Sequence, residues 1–171
     1  MIARTLTLIG GLAGAAGLSQ FPEYSQQYTQ RLAGAVDELT RVVDDFDRSA
    51  TAEGLTRDEA LSAMTGSGFV ERRRADMIRT LARHEDLTAD LNALKASGPF
   101  TRAYRITHFN DAEVARRALQ DYQPALPLTF AGGSFAAIGA VLGMLAVGVI
   151  GSLLSMLFAL LSAPFRRRRP S

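Results

Sequence analysis

The chain of 171 residues contains no cysteine. Disulfides, thiolate metal sites and cysteine nucleophiles are therefore excluded. The absence fits export to an oxidising compartment without requiring it. Histidine is scarce: His84 and His108 are the whole complement, which excludes a histidine-rich metal centre. Charge is missing altogether from residues 123–165. Also missing are a P-loop, a dinucleotide fingerprint, a nucleophile elbow and a paired metal motif. Gly10-Gly-Leu-Ala-Gly14 is not a phosphate loop, because it lies in an apolar segment with no strand before it. The sequence therefore offers no catalytic residue, no cofactor site and no metal site, and the chain is expected not to be an enzyme. No small-molecule substrate is evident.

What is present begins with that uncharged run and the four arginines that close it, Arg166 to Arg169. Such a run with a basic stop reads as a transmembrane helix and its anchor. Its most apolar part, residues 135–161, holds 27 residues, long enough to cross a hydrocarbon core of about 30 Å. A buried core helix of that kind would need more surrounding protein than this chain supplies. The amino-terminal end is apolar too. After Arg4 the next charge is Glu23, leaving 18 uncharged residues. They read either as a short membrane anchor or as a signal peptide cleaved near residues 13–16. Their abundance of glycine and shortage of leucine favour a retained, packed helix.

All 17 acidic residues and 14 of the 19 basic ones lie between Gln20 and Phe130. The middle is thus slightly acidic, and the pI of about 9.4 belongs to the ends. Nucleic acid is not an expected partner.

Both apolar ends carry small residues four apart: Gly10 with Gly14, and Gly139 with Gly143. Gly148 and Gly151 add to the second set. In lipid, such positions let helix backbones approach closely. The two helices are expected to pack on each other or on a partner's helix, although glycine is also simply common in membrane helices. Orientation follows from Arg4 and from Arg166, Arg167, Arg168 and Arg169, which anchor both termini in the cytoplasm. The middle then lies in the periplasm of a bacterium. Membrane lipids are the first expected partner, and the basic tail is suited to anionic head groups.

The middle reads as helices. Leu32, Val36, Leu39, Val43 and Phe46 recur at spacings of four and three within a helix over 20–47. Asp37, Glu38, Arg41, Asp44, Asp45 and Asp47 form its solvated face. Glu53-Gly54 ends it. Thr56 with Glu59 forms a capping box for a short helix to about residue 64. Gly66-Ser-Gly68 breaks the chain before a helix over 69–96, with Met77, Leu81, His84, Leu87, Leu91 and Leu94 on its apolar stripe. Gly98-Pro99 stops it. Residues 104–109 show the longest alternating pattern, a short and ambiguous strand signal. Asn110 with Glu113 predicts a second capping box and a helix over 111–122. The two long helices have matching stripes and should pack antiparallel. A helix of about 28 residues is about 42 Å long, so the middle is expected to be a thin bundle.

Few polar residues stand out. His84, on the apolar stripe, reads as a hydrogen-bonded packing residue sooner than as a switch. His108 has no second ligand beside it. Asp44-Asp-Phe-Asp47 lacks the glycine and the final glutamate of a calcium loop. Glu71-Arg-Arg-Arg74 is the densest charge in the middle. Arg72, Arg73 and Arg74 suit an acidic patch on the first helix or on a partner. The stretch 19–32 is polar with interleaved aromatics. Phe21, Tyr24 and Tyr28 suit an aromatic belt at the membrane surface or contact with a partner.

A resemblance appears on that stretch. Ala16-Gly-Leu-Ser-Gln-Phe-Pro-Glu-Tyr-Ser-Gln-Gln-Tyr28, read through to Val36-Asp-Glu-Leu39, resembles an uncharacterised bacterial membrane-protein family, one of the domains of unknown function. Phe69-Val-Glu-Arg-Arg-Arg-Ala-Asp-Met77 and Gly98-Pro-Phe-Thr-Arg-Ala-Tyr104 are similar to it too. The resemblance implies a small two-helix membrane protein and no activity.

The expected fold is all-α: two transmembrane helices flanking an extended antiparallel helical hairpin or bundle. The segments are a membrane anchor over 1–19, an extracytoplasmic helical domain over 20–130, a transmembrane helix over 131–165 and a basic tail over 166–171. The expected role is that of an accessory, scaffold or assembly factor of an inner-membrane complex, partnered by another membrane protein. The alternative is a self-assembling spacer or small pore. Unpaired polar residues within the membrane would favour a pore, and only Ser152 and Ser155 offer any.

Overall fold

Helix-forming sequence dominates the chain, and its breaks fall at glycine, proline and capping residues. A computed structural model describes residues 2–124, 126 and 128–162, with only the backbone of 161 and 162. Among these residues the protein is all-helical, without a strand. The chain divides into two units, residues 1–23 with 124–171, and residues 24–123. The sequence-based limits of the middle domain were 20 and 130, a few residues wider on each side.

The first unit is built on two helices, α1 (Ile2–Ser19) and α7 (Phe130–Ser162). Both are long and apolar enough to cross a membrane. Only 11% and 6% of their most apolar windows are buried. A core helix of a soluble protein would hide most of that surface. Here the leucines and isoleucines of both helices, Leu6, Leu8, Leu12, Leu145, Leu153 and Leu160 among them, point outward.

The second unit runs through α2 (Phe21–Ala52), α3 (Arg57–Ala63), α4 (Gly68–Lys95), α5 (Pro99–Tyr104), a 3-10 turn (Ile106–His108) and α6 (Ala112–Gln120). Pro22 sits at the second position of α2, where a missing N–H costs nothing. Gly54 closes α2 at φ 70°, with Leu55 N–H donating to the Ala50 carbonyl at 2.9 Å and Gly54 N–H to that of Thr51 at 3.0 Å. That paired pattern requires a left-handed residue, and glycine adopts it without a Cβ penalty. Thr56 and Glu59 form both halves of the capping box of α3. Ser67 caps α4, accepting from Val70 N–H at 3.3 Å.

The core of this unit is small. Tyr28, Leu32 and Val36 of α2 meet Leu87, Leu91 and Leu94 of α4 and Val114 and Ala118 of α6. Early positions of α2 thus share the core with late positions of α4. Farther along, Thr40 Oγ1 lies 2.9 Å from His84 Nε2. The two long helices therefore run antiparallel. His84 is held within the packing by that bond.

Two local expectations need correction. Residues 104–109 form no strand; they end α5 and make the 3-10 turn. Proline at the first position of α5 and glycine before it set a helix start that alternation obscured. The cap of α6 is Asp111 instead of Asn110: its carboxylate accepts from Val114 N–H at 2.8 Å. Glu113 closes no reciprocal box, because arginines from α4 and α6 take its carboxylate.

Candidate functional site

Two arrangements stand out, one in each unit. In the first, glycine removes the side chains that would hold α1 and α7 apart. A Cβ built on Gly14 would fall on the Gly139 carbonyl oxygen, and one on Gly139 would fall on the Gly14 oxygen. The same holds for Gly143 against the Gly10 oxygen. A Cβ on Gly10 would meet the Gly143 oxygen at 2.9 Å and clash with Val147. Real Cβ atoms essentially never come within 3.0 Å of such neighbours. Gly10 thus pairs with Gly143, and Gly14 with Gly139, so the helices are antiparallel and in backbone contact. The structure brings these four glycines onto each other. Gly17, Gly133, Gly148 and Gly151 have nothing within 4 Å of an added Cβ. Phe21 packs on Phe135, ring centroids 5.3 Å apart.

Three serines of α7 are satisfied inside the helix. Ser134 Oγ donates to the Phe130 carbonyl at 2.8 Å, Ser152 to that of Gly148 at 2.9 Å and Ser155 to that of Gly151 at 2.8 Å. A hydroxyl bonded to its own preceding turn is compatible with lipid.

In the second unit a groove of about 390 Å³ runs among α2, α4 and α6. Gly34, Ala35, Leu39 and Val114 make its apolar floor, and Arg31, Glu38, Arg83, Glu113 and Arg117 stand around it. Its charges answer one another. Arg83 reaches Asp111 at 3.2 Å and Glu113 at 3.1 Å. Arg117 meets Glu113 at 2.5 Å, and Arg31 pairs with Asp121. The Arg83 guanidinium, with Arg117 adding to it, holds the Glu113 carboxyl below the usual glutamate range. No serine, histidine or lysine lines the groove. Among the described residues no cluster of three or more histidines or acids is placed to hold a metal ion.

The other residues singled out by sequence fall as follows. Tyr28 has no exposed surface and sits at the centre of the core. Its ring lies 4.7 Å from Phe109, and Tyr24 touches Tyr122 edge-on at 6.2 Å. These tyrosines spend their rings on the bundle's own packing. Arg73 pairs with Asp76 at 3.4 Å, while Arg72 and Arg74 make no ion pair among the described residues. His108 Nδ1 lies 2.7 Å from Asp90 Oδ1. Asp47 pairs with Arg57. Arg4 lies in α1; Arg166, Arg167, Arg168 and Arg169 lie outside the described residues. Sequence reading did not anticipate the groove or the Arg83–Glu113–Arg117 network, whose members are dispersed over three helices. The one signal was Gly34, a helix-interior glycine that costs about 1 kcal/mol relative to alanine.

Residues 2–167 match the family described as protein of unknown function (DUF2937). The chain belongs to this family. The match takes in both units. No curated protein and no solved structure matches the chain.

Three carboxylates of the bundle have lowered pKa values. Asp47 is held down mainly by its bond to Arg57, Glu59 by the Thr56 backbone N–H, and Glu113 by Arg83. A carboxylate with a lowered folded pKa lends stability above the ordinary carboxylate range and loses it as pH falls through its folded value. The bundle is therefore expected to melt at progressively lower temperature as pH drops below about 4. Helicity followed by circular dichroism in detergent checks this. A midpoint unchanged down to pH 2 would show that solvent screening cancels all three.

Proposed function

We propose that this protein is an integral membrane hairpin that serves as an accessory, scaffold or assembly factor of an inner-membrane complex, without enzymatic activity. The observation that carries the reading is the combination found in the first unit. Its two helices are locked at the backbone by glycine, yet nearly all their large apolar side chains face outward. In water that surface would drive aggregation; in lipid it is the expected exterior. The pairing of α1 with α7 supports retention of the amino-terminal helix over cleavage as a signal. Antiparallel pairing also places the two ends of the chain on one side. That supports both ends on one side of the membrane, and the arginines at those ends then favour cytoplasmic termini and a periplasmic segment over 20–130.

A partner-binding role is supported by what the bundle holds. Its charges are mutually compensated around the groove, and its histidines are engaged in single contacts. Arg72 and Arg74, which make no ion pair among the described residues, lie at the start of α4, ready for an acidic surface. A second reading, assembly with copies of itself, is favoured by Gly148 and Gly151. These two lie on α7 with open space around them and suit close approach by another helix.

The test is purification of the tagged protein from its native membranes in mild detergent, followed by mass spectrometry. A stoichiometric companion is expected and would name the process. Recovery only with copies of itself would transfer the case to self-assembly. A lone monomer would sink both readings.

A further inference from the structure

The segment from α5 through the 3-10 turn is fastened to the bundle at several points. Arg102 Nε donates to the Leu94 carbonyl at 3.1 Å, and Arg105 Nη1 to that of Ala93 at 3.0 Å. These bonds add to those that Ser97 gives the same carbonyls, its N–H to Leu94 at 3.1 Å and its Oγ to Ala93 at 2.8 Å. His108 is tied to Asp90, and Phe109 packs on Tyr28. A segment held so firmly would be expected to turn its apolar side chains inward. Yet Tyr104 is 89% exposed and Ile106 is 66% exposed. They alternate with Arg102 and Arg105, which are half-buried and each spend one guanidinium nitrogen on α4.

The place of this segment in the bundle narrows its occupant. Rings run in contact from Phe109 to Tyr28, from Tyr28 to Tyr24 and from Tyr24 to Tyr122. The segment therefore lies at the end of the bundle where the chain enters at residue 24 and leaves at residue 123. By covalent connection, that is the end at which the chain runs into α1 and α7. Tyrosine at the head-group level and arginine facing lipid phosphates are the chemistry of a membrane interface.

We propose that Tyr104 and Ile106 insert into the lipid interface, with the guanidinium N–H groups of Arg102 and Arg105 that are not used on α4 left for the phosphates, so that residues 99–107 form a second, peripheral membrane contact. This rests on the membrane reading given above, and the test separates the two. The chain has no tryptophan, so a single introduced one reports its own surroundings. Tyr104→Trp, Ile106→Trp, Phe158→Trp and Phe69→Trp are each made in the full chain. Phe158 lies on α7, and Phe69 lies at the far end of α4, about 38 Å along the helix from Leu94. Each variant is reconstituted in phosphatidylethanolamine–phosphatidylglycerol vesicles with and without brominated acyl chains.

The expected result is blue-shifted emission and quenching by brominated lipid at 104, 106 and 158, with none at 69. Quenching at 158 without quenching at 104 and 106 overturns the proposal and leaves the membrane reading standing. No quenching at 158 overturns both. Emission at 104 that is blue-shifted but indifferent to brominated lipid means that protein covers the segment, and also overturns the proposal. Equal quenching at 69 and 104 does the same, because the contact would not be specific to this end.

Discussion

Gly14→Leu is expected to split α1 from α7, while Gly17→Leu, three residues away on the same helix, leaves the pair intact. The difference is geometric. A side chain at 14 is directed into the Gly139 carbonyl, whereas one at 17 meets nothing within 4 Å. Overpacking ordinarily costs about 1–3 kcal/mol, because side chains shift to make room. Here the obstacle is backbone on a neighbouring helix, which cannot rotate aside. The cost should therefore reach the top of that range or exceed it. Gly139→Leu combined with Gly143→Leu should behave like Gly14→Leu, and Gly148→Leu like Gly17→Leu. Unfolding by denaturing detergent, followed by circular dichroism, ranks the four variants against the parent. Equal resistance of the Gly14 and Gly17 variants would mean that the glycine contact contributes little to holding the helices together.

Tyr28→Ala should cost about 3–5 kcal/mol, as truncation of a fully buried aromatic does. A core of eight buried residues has no reserve to absorb that. Tyr28→Phe should do the opposite of what loss of a buried polar group usually does. The Tyr28 hydroxyl lies beside the Asp111 backbone, but among the described residues it completes no hydrogen bond. Removing it relieves an uncompensated desolvation, so Tyr28→Phe is expected to match or exceed the parent in stability. The same hydroxyl makes the parent sensitive to alkali. Burial pushes its pKa up to about 12 from an ordinary value of 10.0. Below pH 10 the tyrosine is neutral folded and unfolded and carries no ionisation penalty; as pH rises from 10 toward 12 only the unfolded chain ionises freely and stability is lost. The loss is about 3 kcal/mol. Tyr24, raised by burial as well, adds to it in the same direction. Melting curves between pH 9 and 12 should therefore separate parent from Tyr28→Phe, with the variant falling less. Parallel curves would show that Tyr28 ionises freely in the folded protein.

Much of this architecture could be read from local signals. Thr56 with Glu59, Gly66-Ser-Gly68 and Gly98-Pro99 each act through their own neighbours, so their helix limits were accurate to within a residue or two. Spacing alone selected the glycines at 10, 14, 139 and 143. Spacing does not say which helix faces which, and the pairing of 10 with 143 and 14 with 139 emerged only in three dimensions. Tyr28 was misplaced for a related reason. Beside Phe21 and Tyr24 it resembled an interface belt; the three share one face of α2, and spacing does not say that at Tyr28 this face is covered by Phe109 and the core. The Asp111 cap was obscured by Asn110, an equally competent capping residue one position earlier. Arg83 and Glu113 were invisible as a pair because 29 intervening residues and a chain reversal separate them.

The unequal lengths of α1 and α7 have a mechanical consequence. The 18 residues of α1 extend about 27 Å and the 33 residues of α7 about 50 Å, at 1.5 Å per residue. A bilayer core of about 30 Å slightly exceeds the first and falls far short of the second. Because glycine contacts fix the register between them, neither helix can slide to accommodate the mismatch. The strain must be taken up by the lipid, which thins around the short helix, or by a common tilt set by the long one. On the membrane reading proposed above, bilayer thickness becomes a variable to which the pair is mechanically coupled, a thinner core suiting α1 and a thicker one α7.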